Sequence, residues 1–280
     1  MLPIFIPTLG RAERLRWGPL ECLPHDATAY LVVEEHEYED YKRTLQDYLR
    51  SPEHPRCSVV LHNLGVSGGG IANTRLCIGK FADAAGYSAF MMMDDDIKIL
   101  CRSGVSDWRL KGSTPEQTSH MLRVVESLLH THSHVGVSAR EGNNRIGVGR
   151  PDVLFDVNTR TMRCVAWRTK DFLAQEHCRV PVMEDFDVSI QALRLGLSNA
   201  CVYYWAQGQS YTNAPGGCAT FRTLELHNAA AEYLHELHPE FTKLRDKENK
   251  TTSGGLGKRK EVTVYWKKAA ASGRAKKGDN

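Results

Sequence analysis

No apolar run in the 280 residues approaches the roughly 20 needed to span a bilayer, and the opening MLPIFIPTLGR lacks the basic, apolar, then small order of a secretory signal. A soluble, cytoplasmic protein is expected, in the host cytoplasm if the chain is phage-encoded. No two of the eight cysteines have CxxC spacing, and most stand in apolar company, as in Arg163-Cys164-Val165 and Ala200-Cys201-Val202. They read as reduced core thiols, not as a disulfide frame or a zinc site. There is no internal repeat. No Gly-Lys-Ser/Thr follows the glycine-rich stretch Gly68-Gly69-Gly70, which excludes a P-loop.

Net charge is also scarce, at +3, while the 41% hydrophobic and 25% charged content leaves ample material for a core. The small total conceals an uneven distribution. From Lys243 onward, 12 Lys/Arg face 4 Asp/Glu, a net +8, so residues 1–242 carry −5. One large domain over 1–242 and a basic tail over 243–280 are expected. Such a tail suits either a sequence-independent hold on nucleic-acid phosphates or a solvated appendage.

The first half alternates strand and helix patterns. Leu2–Ile6, Ala29–Val33, Ser58–Leu61 and Ser88–Met93 read as buried strands, with helical spacing over Glu34–Leu49 and Ile71–Gly86, which implies a parallel sheet. The fourth strand runs into Asp94-Asp95-Asp96, and ligands of open α/β sheets sit outside the carboxyl ends of strands. Three adjacent carboxylates after Met91-Met92-Met93 need compensation. Hard divalent cations prefer oxygen ligands, and strand alternation would point Asp94 and Asp96 together with Asp95 facing away. The second half adds strands at Val135–Ala139, Met162–Trp167 and Val202–Trp205, and helices at Gln117–His130, Glu184–Leu195 and Leu224–Leu237. TTSGGLGKRK reads as a linker before a last strand over 262–266.

The order Ile4-Phe5-Ile6-Pro7-Thr8 with Arg11, then Gly68 through Arg75, then Asp94-Asp95-Asp96, resembles the GT-A glycosyltransferases over about residues 2–210. The resemblance implies a Rossmann-like α/β sheet, helices on both faces, that binds a nucleotide-sugar, with a basic tail appended. It implies that Pro7, Thr8, Arg11, Gly69, Gly70, Arg75, Asp94 and Asp95 border the donor, a UDP-sugar, and that Asp94 and Asp96 hold Mn2+ or Mg2+. Val182-Met183-Glu184-Asp185-Phe186-Asp187 resembles the family's second acidic motif, which makes Asp185 the general base of an inverting transfer and leaves Glu184 or Asp187 as caps or acceptor contacts. A base within hydrogen-bond reach contributes about 10²- to 10⁴-fold.

Gly136 through Arg140, Asn143-Asn144-Arg145, and the run from Trp205-Ala206-Gln207 through Gly216-Gly217-Cys218 to Phe221-Arg222-Thr223 are similar to the GT-A enzymes associated with TET/JBP oxygenases. That similarity implies DNA as acceptor, through the hydroxyl of a hydroxymethylated pyrimidine such as 5-hydroxymethylcytosine. Arg140, Asn144, Arg145, Glu184, Gly216, Gly217 and Arg222 are then the candidate acceptor contacts. A saccharide or lipid-linked acceptor, a nucleotidyltransferase and a noncatalytic DNA-binding module are the competing readings. The histidines His130, His132 and His134 alternate where a helix enters a loop, a poor setting for a metal.

Overall fold

The computed structural model describes residues 1–14, 18–51, 56–104, 109–145, 154–209, 223–248 and 258–278. Strands β1 (Ile4–Pro7), β2 (Thr28–Val33), β3 (Ser58–Asn63) and β4 (Ala89–Met93) pair in parallel in the order β3-β2-β1-β4. Between them lie a short α1 (Gly18–Glu21), then α2 (Tyr38–Arg50) and α3 (Gly70–Ala84). This is the parallel half read from the sequence.

The other half is mixed. A tight turn at Asp94–Asp96 reverses β4 into β5 (Ile97–Arg102), followed by β6 (Leu110–Gly112), α4 (Pro115–Leu128), β7 (His134–Ala139), β8 (Phe155–Val157), β9 (Cys164–Arg168), α5 (Thr169–Leu173), α6 (Glu184–Arg194) and β10 (Asn199–Gln209). The sheet continues from β4 through β9, β7, β10, β5 and β6, with β8 also on β10. Only the β7–β10 pair here is parallel. Helix α4 starts two residues before the expected Gln117, because Thr114 and Gln117 form a reciprocal cap with Pro115 in the first turn.

Strand alternation feeds two cores. Ile4, Ile6, Met91 and Met93 face α4 through Met121, Leu122 and Val125, while Phe5, Phe90 and Met92 face Ile78 of α3, Phe172 of α5 and Val188 of α6. Helices thus cover both faces, as the α/β expectation had it. Five of the described cysteines are buried and none is bridged; Cys178 is the exposed one. No helix among the described residues is long and apolar enough to cross a membrane.

The basic C-terminal stretch is folded where it is described. After α7 (Leu224–Leu237), β11 (Thr242–Glu248) and β12 (Lys258–Val264) form an antiparallel hairpin, and α8 (Trp266–Gly278) follows; the expected linker lies largely outside the described residues. Val262 and Val264 pack with Leu234 and Phe186, and Ala269 and Ala270 with Ile190 and Leu193. Apolar positions at strand and helix spacing, not the charges between them, decide this segment. Helix α8 meets α6 at Gly273, where a Cβ would stand 2.2 Å from the Leu193 carbonyl oxygen and 2.5 Å from the Gly196 nitrogen. Gly273→Leu should therefore cost about 1–3 kcal/mol, a Tm loss of several degrees in a thermal melt; an unchanged Tm would mean that α8 does not dock.

Candidate active site

The parallel half aligns the carboxyl ends of β1 and β4, so Thr8 and the aspartate turn meet at one edge. Antiparallel pairing then brings other chain segments to the same edge. Met93 lies opposite Cys164, which sets Arg163 beside Asp94, and Ile97 lies opposite Gln209, which sets Gln209 beside Asp96. The Asp94 N–H donates to the Arg163 carbonyl at 2.8 Å.

The aspartates occupy the turn, not the strand, so strand alternation does not govern them. Asp95, expected to face away, is the most buried of the three. Its Oδ2 accepts from Thr8 Oγ1 at 2.6 Å and its Oδ1 pairs with Arg11 Nη1. The Thr8 hydroxyl also meets the Tyr41 hydroxyl at 2.9 Å, which in turn accepts from the Arg11 N–H at 3.0 Å. Asp96 Oδ2 accepts from Gln209 Nε2 at 2.9 Å and lies 3.4 Å from Arg11 Nη2. Its Oδ1 is buried without a hydrogen-bond partner among the described residues.

A second guanidinium joins the two acidic motifs. Arg75, from α3, donates to Glu184 Oε1 at 2.6 Å and to Asp94 Oδ1 at 3.2 Å. Repulsion among the carboxylates is thus offset by Arg11 and Arg75 within the protein itself. Burial still raises the Glu184 carboxyl to about 7 and the Asp95 carboxyl to about 6, and it raises Asp94, with Arg75 and Arg11 pulling the other way.

Of these groups Arg75, Arg163 and Glu184 border a cleft of about 570 Å³, open to solvent, whose polar lining also includes His177, Asp185 and Asp187. Asp185 is half-buried there and makes no hydrogen bond or ion pair among the described residues. Asp187, two positions further along, is instead fully committed within the protein. Only 1% exposed, it accepts from Arg179 Nε at 2.9 Å and contacts His238 Nε2 at 2.7 Å, and its carboxyl is held below the usual range by hydrogen bonds to His238 and Arg179 against the opposing effect of burial. That network anchors the first turn of α6. Three non-glycine residues around the cleft adopt left-handed backbone, Arg163, Cys178 and Met183, with φ between 60° and 66°; each such residue costs of order 1–3 kcal/mol, and such strain clusters at functional sites.

Of the expected residues, Thr8, Arg11, Asp95 and Asp96 form one bonded set and Arg75, Asp94 and Glu184 a second that meets it along the aspartate turn, with Asp185 beside Glu184 in the cleft. Pro7 closes β1 next to Thr8, while Gly69 and Gly70 open α3 one turn before Arg75. Arg140, Asn144 and Arg145 lie in a 3-10 turn after β7; Gly216, Gly217 and Arg222 lie outside the described residues. His134 is a core residue stacked on Trp167 at 3.8 Å and bonded to Asn199, with burial lowering its pKa to about 3. Sequence reasoning missed Tyr41, Arg163 and Gln209, and also Arg160, whose guanidinium carbon lies 4.6 Å from the Phe186 ring centroid and is acted on by the Asp185 charge. Tyr41 looked only like part of a helix stripe, and Arg163 and Gln209 arrive through antiparallel pairing that leaves no local motif.

A sequence model of the TET-associated glycosyltransferases matches residues 2–217. The beta-glucosyl-HMC-alpha-glucosyl-transferase of Enterobacteria phage T6 is 23% identical over 255 residues, 86% of this chain and 82% of that protein. Among solved structures, GalNAc-T7 with UDP, GalNAc and Mn2+ aligns at 9% identity and a TM-score of 0.47, over 75% of this chain and 44% of its own, so the chain spans less than half of that protein. UDP-glucose pyrophosphorylase complexed with UDP-glucose aligns over the whole of both chains at 8% identity and a TM-score of 0.41. The matched stretch runs from before β1 to beyond β10 and takes in every strand of the main sheet, and on that match the chain belongs to the TET-associated glycosyltransferase family.

Proposed function

We propose that the chain transfers a sugar from a UDP-sugar to the hydroxyl of a hydroxymethylated pyrimidine in DNA, with 5-hydroxymethylcytosine as the base, in the host cytoplasm. The family assignment supports the reaction class, and the phage relative, named for an HMC acceptor, supports the base. That name also specifies beta-glucosyl-HMC, which favours a second reading: the acceptor hydroxyl belongs to a sugar already attached to the base.

The observation that carries the reading is the cleft itself, where Asp185, uncommitted to any partner among the described residues, stands beside Glu184, Arg75 and Asp94. Asp185 takes the acceptor proton as the hydroxyl attacks the anomeric carbon. Pro7, Thr8, Arg11, Gly69, Gly70 and Arg75 border the donor, and Arg75 and Arg163 face its diphosphate. Arg140, Asn144, Arg145, Gly216, Gly217 and Arg222 are assigned to the DNA side.

A divalent cation fits this donor set. Asp96 Oδ1 is a buried hard oxygen without a partner, and the described residues hold no group of three or more ligating side chains. Mg2+ and Mn2+ are commonly held by one or two carboxylates with phosphate oxygens completing the shell. Asp96 and Asp94 would hold it, and when bound it would stabilise the negative charge that develops on the departing nucleoside diphosphate.

Asp185→Asn should lower kcat by about 10²- to 10⁴-fold while leaving the Tm in place, since Asp185 makes no bond that the fold uses. A wild-type rate, or an α-configured product from an α-configured donor, would remove Asp185 from the base role. In calorimetry, manganese should tighten UDP binding to the wild type, and Asp96→Ala should erase that increment; equal uptake in chelator rejects the cation. Glu184 supplies a pH test. Its folded value of about 7 exceeds its ordinary 4.5, so the native state retains a proton that the unfolded chain has released, and stability falls as pH rises through that window. Glu184→Gln should flatten the decline in Tm between pH 5 and 7.5, and parallel curves would mean that Glu184 is ionised throughout.

A further inference from the structure

Asp185 makes no hydrogen bond or ion pair among the described residues, so its aim is set by the residues around it. Those neighbours are all held. Met183 packs on the cluster of Val180, Phe186 and Leu234, Glu184 is bonded to Arg75, and the Phe186 ring meets the Trp266 ring edge-on at 5.6 Å. The Phe186 and Asp187 N–H groups both donate to the Met183 carbonyl, at 3.0 and 3.3 Å, which closes the first turn of α6.

That turn begins on strained backbone. Met183 and, five residues before it, Cys178 take left-handed φ values of 66° and 60°, and such conformations persist only where the surroundings over-determine them. The Asp187 carboxylate supplies that constraint. Arg179 grips it through Nε and Nη2 together, which ties the approach to α6 onto the helix itself. Gln191 fastens the same approach one turn further on: its Oε1 accepts from the Glu176 N–H and its Nε2 donates to the Glu176 carbonyl, each at 2.9 Å.

The remaining charged or aromatic partner of Asp187 comes from the C-terminal segment. His238, whose side chain is fully buried, donates from Nε2 to Asp187 Oδ1 at 2.7 Å and accepts at Nδ1 from Arg194 Nη1 at 3.3 Å. Its backbone is fixed too, the N–H donating to the His235 carbonyl at 3.2 Å and the carbonyl accepting from the Phe241 N–H at 3.0 Å and Thr242 Oγ1 at 2.7 Å. His238 directly follows α7 and lies beyond the matched stretch 2–217. A buried polar network whose members are all satisfied specifies one geometry, which apolar packing alone does less strictly.

We propose that His238 is a positioning residue for sugar transfer: through Asp187 it fixes the first turn of α6 and so aims the Asp185 carboxylate at the acceptor hydroxyl. The inference rests on Asp185 being the general base. A base acts at the moment of proton transfer, so a misplaced base lowers kcat while substrate binding, and with it KM, stays in place.

The test replaces His238 in the full chain. His238→Leu fills the space without a donor, and His238→Gln returns an N–H near the position of Nε2. In hydrogen exchange read by mass spectrometry, the peptide over 183–190 should exchange faster in His238→Leu and at the wild-type rate in His238→Gln. Exchange needs no substrate, and an unchanged rate in His238→Leu overturns the inference whatever the acceptor. In transfer from UDP-glucose to DNA carrying hydroxymethylcytosine or its glucosylated form, His238→Leu should lower kcat about tenfold or more with KM within about threefold of wild type, and His238→Gln should recover most of the loss. A wild-type kcat in His238→Leu, or a loss carried by KM alone, overturns it as well. If His238→Leu does not fold, Arg179→Lys, which loses the two-pronged grip from a half-buried position, takes its place in both measurements. Transfer abolished in Asp185→Asn but untouched in His238→Leu rejects the positioning role and keeps the base; wild-type transfer in Asp185→Asn, with exchange quickened in His238→Leu, rejects the base and keeps His238 as the support of the turn.

Discussion

Two guanidinium groups hold the carboxyl edge of the sheet together. Arg11 spans Asp95 and Asp96, and Arg75 spans Asp94 and Glu184, so four carboxylates are tied in pairs. Each bridge also joins elements distant in sequence, since Arg75 stands on α3, Asp94 in the turn after β4 and Glu184 at the start of α6. Removing one partner of a buried pair leaves an uncompensated charge, which typically costs about 3–5 kcal/mol. The edge is therefore a mechanical joint as well as an electrostatic one.

Charge balance shows what such a joint would need in order to serve a diphosphate donor. Asp94, Asp95, Asp96, Glu184 and Asp185 stand close to Arg11, Arg75, Arg160 and Arg163, five acids against four bases, so the edge is near neutral before any ligand arrives. A diphosphate brings negative charge that this edge does not offset by itself. A divalent cation seated at Asp96 Oδ1 would restore the balance, and both would act in a partly dehydrated cleft where electrostatic terms are strong. The arginines and such a cation would thus be complementary: the first stabilise the unliganded edge, and the second would match a diphosphate.

The parallel half was legible because its signals are local. Buried runs such as Ala29–Val33, helical spacing in Tyr41 and Leu45, and a carboxylate cluster at a strand end each lie within a short window. In the antiparallel half β7, β9 and β10 were legible as apolar runs, but β5, β6 and β8 were not, because they are too short or too mixed in polarity to stand out. Arg163 and Gln209 become site residues only through their pairing partners. The aspartates show the same boundary: their place at the site was readable, but their orientation depended on a turn that strand periodicity does not describe.

The C-terminal segment shows how charge counting and packing can describe the same residues differently. In the hairpin, Thr242, Leu244, Val262 and Val264 share one face and turn toward α7, with Lys260 on that face pairing to Glu232 and accepting through its carbonyl from His227. Lys243, Arg245, Lys247 and Arg259 share the other face with Glu261. Part of a basic excess that looked like a property of a loose tail, four of its twelve Lys/Arg, belongs to one face of a folded hairpin. That face is linked to α6, because Glu261 and Asp185 both act electrostatically on Arg160, which lies against Phe186. Folding converts a diffuse positive charge into one with a fixed direction.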